Sequence, residues 1–459
     1  MNRNIHNLKK VTLKMFYEDQ KYRKTIQAFK LCILTIENVQ LMQVPDRRDQ
    51  SPVTSHQSPV TSHQSPVASA ILSSMSQSAR QGALQATMTV NSSGPSVVTS
   101  ASRHYEVKML GWNAPQDFLD IVDPHWMTFE TPNPYLHYML GVIYIGLMVA
   151  AVCGNGVVIW IFSSAKSLQT PSNMFVVNLA FLDLIMMLKA PIFIFNAFNE
   201  GPVFGTLGCE IYGLVGSYSG IGSAMTNTAI AYDRYKTIAK PFEPKISRGV
   251  AFLAIIGIWL YATPWSILPV LHIWGKYAPE GYLTTCSMDY LTQDESTRSF
   301  VACNFFFAYL VPGFLIIYFY GKIFSHVRAH EKAMGIQAKK MNVESIRSPA
   351  NSKEDQEKSA EIRIAKVCMG LFFMFLVSWT PYAVVALTGA FGDRSVLTPL
   401  ASMLPALNCK MVACIDPWIY AINHPRYRLE LQKKLPWFCI HEEKPSDNAS
   451  QSIDSKEKA

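Results

Sequence analysis

The sequence is short of charge. Of its 459 residues only 16% are Asp, Glu, Lys or Arg, against about 25% in an average soluble domain. The shortfall is concentrated. Tyr138–Ala165, Ile211–Tyr232, Gly249–Gly275, Ser299–Gly321 and Val367–Gly392 hold no charged residue at all. A helix crossing a bilayer's hydrocarbon core needs about 20 such residues, so these five blocks exclude a soluble globular enzyme. No metal-ligand spacing, phosphate loop or hydrolytic triad stands out. The repeated halves or discontinuous helices that a transporter would show are not seen either. Nine cysteines in a chain this long do not make a disulfide scaffold, and most lie inside apolar blocks as small apolar residues.

Two further blocks are apolar but interrupted: Asn173–Phe198 by Asp183 and Lys189, and Ser395–His424 by Lys410 and Asp416. Counting them predicts an all-α bundle of seven membrane spans, with the termini on opposite sides. Lys and Arg mark the cytoplasmic loops. They crowd after the third block (Arg234, Lys236, Lys240, Lys245, Arg248), between the fifth and sixth (Lys322, Arg328, Lys332, Lys339, Lys340) and after the seventh (Arg426, Arg428, Lys433, Lys434). The C-terminus is therefore expected in the cytoplasm and the N-terminus outside. The net charge of +8 reflects this asymmetry, a basic face toward anionic lipid rather than a nucleic-acid footprint. Cys209 and Cys286 fall in the expected extracellular zone and are the natural pair for one disulfide.

Residues 1–108 differ from the rest. Residues 51–67 read SPVTSHQ-SPVTSHQ-SPVAS and residues 68–103 are rich in Ser, Thr, Ala and Gln, a composition that predicts disorder. The best apolar run before them, Leu31–Ile36, is too short for a signal sequence. We expect the functional product to begin near Met75 or Met88, leaving 1–74 outside it. Residues 109–440 form the expected bundle and 441–459 a disordered tail. His326–Ser359 is polar and charged and reads as a cytoplasmic loop. Asn91-Ser92-Ser93 matches a glycosylation acceptor.

Ionisable groups at membrane depth are costly and mark function by default. Asp183 has two readings of equal weight. One is a structural hydrogen bond to Asn155 and polar groups of the seventh block; the other is a sodium or water network that shifts on activation. Lys410 sits mid-block, either in a structural ion pair or as a nucleophilic amine for a carbonyl ligand. Lys189, next to Pro191, either snorkels to the interface or places a second positive charge near Lys410.

Asp233-Arg234-Tyr235 closes the third block, and Asp416-Pro417-Trp418-Ile419-Tyr420 closes the seventh. Trp379-Thr380-Pro381-Tyr382 lies in the sixth, and Asn155, Asp183, Trp259 and Pro312 fall mid-block. This ordered set resembles the rhodopsin-like G-protein-coupled receptors over roughly residues 110–440, with Asp416 where most of that class has Asn. Lys410, six residues before Asp416, resembles the retinal-binding lysine of opsins. Gln337–Val343, His424-Pro425-Arg426-Tyr427-Arg428 and Pro279-Glu280-Gly281-Tyr282 resemble arthropod visual opsins.

The resemblance implies a visual pigment, not an enzyme, with 11-cis-retinal or 3-hydroxyretinal bound covalently at Lys410 between Trp379 and Tyr382. It implies residence in the rhabdomere plasma membrane of a photoreceptor. The implied partners are a Gq-class G protein, a receptor kinase and arrestin. Arg234 would pair with Asp233 and Glu361, Tyr320 and Tyr420 would hold the open form, and Cys439 would be palmitoylated after a short amphipathic helix. Vertebrate pigments usually place the counterion where this chain has Tyr212, so Glu280 is the candidate here. Lys189 resembles the lysine of ultraviolet-sensitive insect opsins, since a nearby ammonium disfavours a protonated Schiff base. A receptor for a diffusible ligand and a retinal photoisomerase are the rival readings. Lys410 speaks against the first, and the intact Asp233–Tyr235 and Lys339–Val343 stretches against the second.

Overall fold

The computed structural model describes residues 108–340 and 349–438, without the side chains of 330–340, 349–364, 366–368, 420–423, 425 and 438. The extension 1–107 with Asn91, the tail with Cys439, and the side chains of Glu361 and Tyr420 lie outside the described parts.

Seven spans form the bundle. Span one is α1, Pro134–Ser164. Span two is α2, Pro171–Leu188, continued after Lys189 by α3, Ala190–Phe198. Spans three and four are α4, Gly205–Ala239, and α5, Arg248–Val270. Span five is α6, Glu295–Asn304, a π-helical turn at Phe305–Leu310, and α7, Val311–Lys340. Spans six and seven are α8, Pro349–Phe391, and α9, Pro399–Asn423. A short helix, α10, Pro425–Lys434, follows and buries Tyr427 and Leu431, four residues apart, on one face.

The starts are written locally. Asn133, Thr170, Ser247 and Asp294 each accept a backbone N–H of the first turn, supplying acceptors for donors that have no partner within the helix. Pro134 and Pro171 follow two of these caps, where a missing N–H costs nothing.

Two expectations need correction. His326–Ser359 is not a loop throughout: α7 runs to Lys340 and α8 begins at Pro349. Hydropathy ends where lipid ends, but the helical hydrogen-bond ladder continues through a segment rich in Ala, Lys, Glu and Gln, all good helix formers. Span three is likewise longer than its charge-free block. Among the described residues, five helices are long and apolar enough to cross a membrane by composition alone, and spans three and seven are not among them. These two are packed inside the bundle, where lipid does not demand an apolar surface all round.

Between spans four and five the chain forms an antiparallel hairpin, β1 (Tyr277–Glu280) and β2 (Thr285–Met288), with Glu280 opposite Thr285 and Pro279 opposite Cys286. Its turn holds Gly281 at φ 61° and Leu283 at φ 60°. Cys286 is disulfide-bonded to Cys209, which ties the hairpin to the start of span three.

Candidate functional site

Under the hairpin lies a cavity bounded by spans two, three, five, six and seven, with about 970 Å³ free of protein atoms, its mouth included. Lys189, Lys410, Glu280, Trp379 and Tyr382 all line it, so the structure brings together five of the six residues chosen from sequence for ligand contact. The sixth, Tyr212, stands behind the two lysines.

Both lysines are buried. Lys189 Nζ lies 4.2 Å from the centre of the Tyr212 ring and Lys410 Nζ 5.8 Å from it. Lys189 also donates to the Tyr212 carbonyl oxygen at 3.1 Å. It therefore points inward and does not snorkel. The break between α2 and α3, with Pro191 just beyond it, turns its stem toward span three. The Lys410 amine has no carboxylate within 4.0 Å among the described residues, and Glu280 on the same cavity wall is the carboxylate that feels its charge.

Glu280 is buried and accepts from the hydroxyls of Tyr290 at 3.1 Å and Tyr382 at 3.2 Å. Burial pushes its carboxyl above the ordinary range, while the positive charge of Lys410 opposes that shift. Tyr290 was not apparent in the sequence, because its role depends on the hairpin folding back on itself.

The π-helical turn in span five also escaped sequence reading. It turns Phe305, Ala308 and Tyr309 onto the cavity wall. Such turns insert one extra residue and often sit at functional sites. Trp379 stacks on Phe375 with centroids 5.8 Å apart and meets Tyr382 edge-on at 6.5 Å. Span six is loosened beside them. Pro381 has no N–H for the Val377 carbonyl four residues earlier. Asn408 of span seven donates to that carbonyl at 3.3 Å.

Span seven repeats the device at its other proline. Pro417 leaves the Ala413 carbonyl without its helical donor, and Asn155 of span one donates there at 2.7 Å. Asn155 makes no hydrogen bond to Asp183, which was part of one of the two readings of that carboxylate. Asp183 instead receives Ser223 at 3.5 Å and faces Asp416. Asn155 Oδ1, Asp183 Oδ2 and Asp416 Oδ1 are all buried without a donor among the described residues.

At the far end of the bundle, Arg234 is paired with Asp233, its Nε donating to Asp233 Oδ2 at 3.1 Å. Ser172 of span two donates to the other Asp233 oxygen at 3.0 Å. The Ser172–Asp233 bond ties span two to span three, and Arg234 is held against the same carboxylate. Tyr235 stacks on Phe319 of span five, and Tyr320 is buried there.

The family profile described as 7 transmembrane receptor (rhodopsin family) matches residues 154–420. The ultraviolet-sensitive opsin of Apis mellifera is 54% identical over 76% of this chain and 93% of its own. Opsin Rh4 of Drosophila melanogaster is 53% identical over 78% and 94%. The crystal structure of squid rhodopsin superposes with a TM-score of 0.66 at 36% identity, over 73% of this chain and 95% of that one. The bundle, the hairpin over a lysine-bearing cavity and these matches agree: the chain belongs to the rhodopsin family, among the insect visual opsins, as a light-sensing G-protein-coupled receptor spanning the membrane several times and not an enzyme.

Proposed function

We propose that the protein is an ultraviolet-absorbing visual pigment that binds 11-cis-retinal, or 3-hydroxyretinal, through Lys410 and signals through a Gq-class G protein. The observation that carries this reading is the pair of buried amines, Lys189 and Lys410, both near the Tyr212 ring on the wall of one cavity lined largely by apolar and aromatic side chains.

Retinal would supply the aldehyde that condenses with the Lys410 amine and the double bond that light isomerises. The residues fit it. Among the described residues the Lys410 amine has no carboxylate within 4.0 Å, the cavity walls are largely aromatic and apolar, and the hairpin covers them on one side. Trp379 and Tyr382 flank the space beside Lys410. Glu280, held by two tyrosine hydroxyls, is the negative group facing it. Lys189 opposes positive charge at Lys410 by like-charge repulsion, which favours the unprotonated linkage and short-wavelength absorption.

A shape change in this cavity presses on Trp379, which sits beside the proline-weakened ladder of span six. Movement of that span opens the end where Asp233, Arg234 and Ser172 are joined. Arg234 then becomes available to the G protein, with Glu361, Tyr320 and Tyr420 as the remaining members of the switch. Receptor kinase and arrestin would act on the tail. The hairpin end faces outward and the C-terminus the cytoplasm, in the photoreceptor membrane.

Borohydride reduction of the reconstituted pigment is expected to fix retinal to the peptide containing Lys410, and Lys410→Ala to leave no pigment. Retinal retained in Lys410→Ala would overturn the site. The parent should absorb in the ultraviolet and Lys189→Glu in the visible. Light should drive nucleotide exchange on a Gq-class protein, and exchange on another class alone would refute that part.

A further inference from the structure

Lys189 reaches span three at Gly216. A β-carbon placed on Gly216 would lie 2.2 Å from Lys189 Nζ and 3.6 Å from its Cε. The first distance is far inside contact, so nitrogen and methyl group cannot both be there. The helix explains why the nitrogen sits at this point. In span three the Gly216 N–H points at the Tyr212 carbonyl, its helical acceptor one turn earlier, and that carbonyl also accepts from Lys189 at 3.1 Å. A side chain at 216 would cover the approach. Without one, the ammonium rests against the backbone, on the Tyr212 ring and inside the cavity.

We infer that Gly216 is a positioning residue, the notch that seats the Lys189 ammonium, and hence a wavelength-determining position of this receptor; the inference rests on the ultraviolet reading above.

Neighbouring notches on the same helix differ in what fills them. Gly213 faces the Tyr277 ring and Gly220 the Trp379 ring, at 2.3 Å and 2.5 Å from a built β-carbon. Those occupants are rigid. At Gly216 the occupant is the free end of a four-carbon stem, which yields without moving the backbone. An alanine there is thus absorbed by displacement of the ammonium. Repulsion from Lys410 closes the path deeper into the cavity, so the ammonium withdraws toward span two. The other groups that face it are Tyr212 of span three, Glu280 from the hairpin and Cys409 beside Lys410 in span seven. None of them takes over its position.

The test compares parent, G216A, K189Q and the double variant, each reconstituted with 11-cis-retinal. Absorbance is recorded across pH, and the C=N stretch in H2O and D2O reports protonation of the linkage directly. The parent should show an ultraviolet band and K189Q a visible one. G216A should gain a visible band, with a deuterium-sensitive C=N stretch and a titration midpoint about one unit higher than the parent's. The double variant should match K189Q. Thermal unfolding of the chromophore-free protein should be nearly the same for G216A and the parent. An ultraviolet parent with a shifted K189Q and an unmoved G216A overturns this inference alone. So does a G216A protein that fails to fold, since the notch would then be holding backbone rather than a lysine. A parent already absorbing in the visible, or a K189Q spectrum like the parent's, overturns the ultraviolet reading and the inference together.

Discussion

Spans three and four lie side by side and obey different rules. Span four is apolar enough to be recognised as a membrane helix, and only 22% of its most apolar stretch is buried within the protein. Span three is less apolar, yet Gly213, Gly216 and Gly220 on it receive Tyr277, Lys189 and Trp379, and it carries Asp233 and Arg234. Glycines of the two helices make the contrast sharp. A β-carbon on Gly249 or Gly257 of span four would meet nothing within 4 Å. Lipid chooses the residues of span four, while neighbouring side chains choose those of span three.

The largest effect expected from this contrast is at Gly213. The occupant of its notch is pinned twice, by the β1 backbone and by the Tyr277 hydroxyl, which donates to the Ser266 carbonyl at 3.0 Å. Gly213→Ala should cost about 1–3 kcal/mol, as overpacking of a filled core does, despite the better helix propensity of alanine. A lowered unfolding midpoint in detergent checks this, together with slower uptake of retinal as the hairpin is pushed out. An unchanged midpoint would mean that the hairpin adapts and that span three is no more constrained than span four.

A smaller effect separates the inner span seven from the outer helices. Asp183, Asp416 and Asn155 present three buried acceptor oxygens with no donor among the described residues. Asp416→Asn adds an amide that can donate to Asp183 without changing shape. Relieving an unsatisfied buried acceptor is worth about 1–3 kcal/mol at most, and part of the new donor's desolvation offsets it. We expect a gain of roughly 1 kcal/mol in dark-state stability, read as a higher thermal midpoint. A loss would show that the carboxyl of Asp416 makes an interaction that an amide cannot replace.

The same contrast explains what could be read in advance. The outer spans were legible because lipid contact demands an unbroken apolar surface, and hydropathy measures that. Lys410, Asp183 and Lys189 were legible because a charge in such a stretch is costly. Cys209 and Cys286 stood out as the cysteines at the expected extracellular end of the bundle, one at the start of the third block and one in the loop before the fifth. The notches on span three, the π-helical turn at Phe305–Leu310, Tyr290 beneath Glu280 and the pairing of Asn408 with the Val377 carbonyl were not legible. Each depends on which atoms of a distant segment arrive at a given point. A glycine in an apolar block has the same letter whether it faces lipid or a lysine. The π-helical turn leaves hydropathy unchanged and alters only which residues face inward.

The smallest expected effect tests the lipid-facing side of the comparison. Gly257 lies inside span four, and a β-carbon there would meet open space. Alanine at such a site removes backbone freedom from the unfolded chain and improves helix propensity, worth about 0.4–1 kcal/mol. Gly257→Ala should therefore raise the thermal midpoint slightly and leave the absorption spectrum unmoved. The same chemical change is then expected to stabilise at Gly257, to shift the spectrum at Gly216 and to destabilise at Gly213. If Gly257→Ala destabilised the protein instead, span four would have to make a close contact in the bilayer that the isolated chain does not show. Glycine positions on the two spans would then differ in their partners rather than in whether they have one.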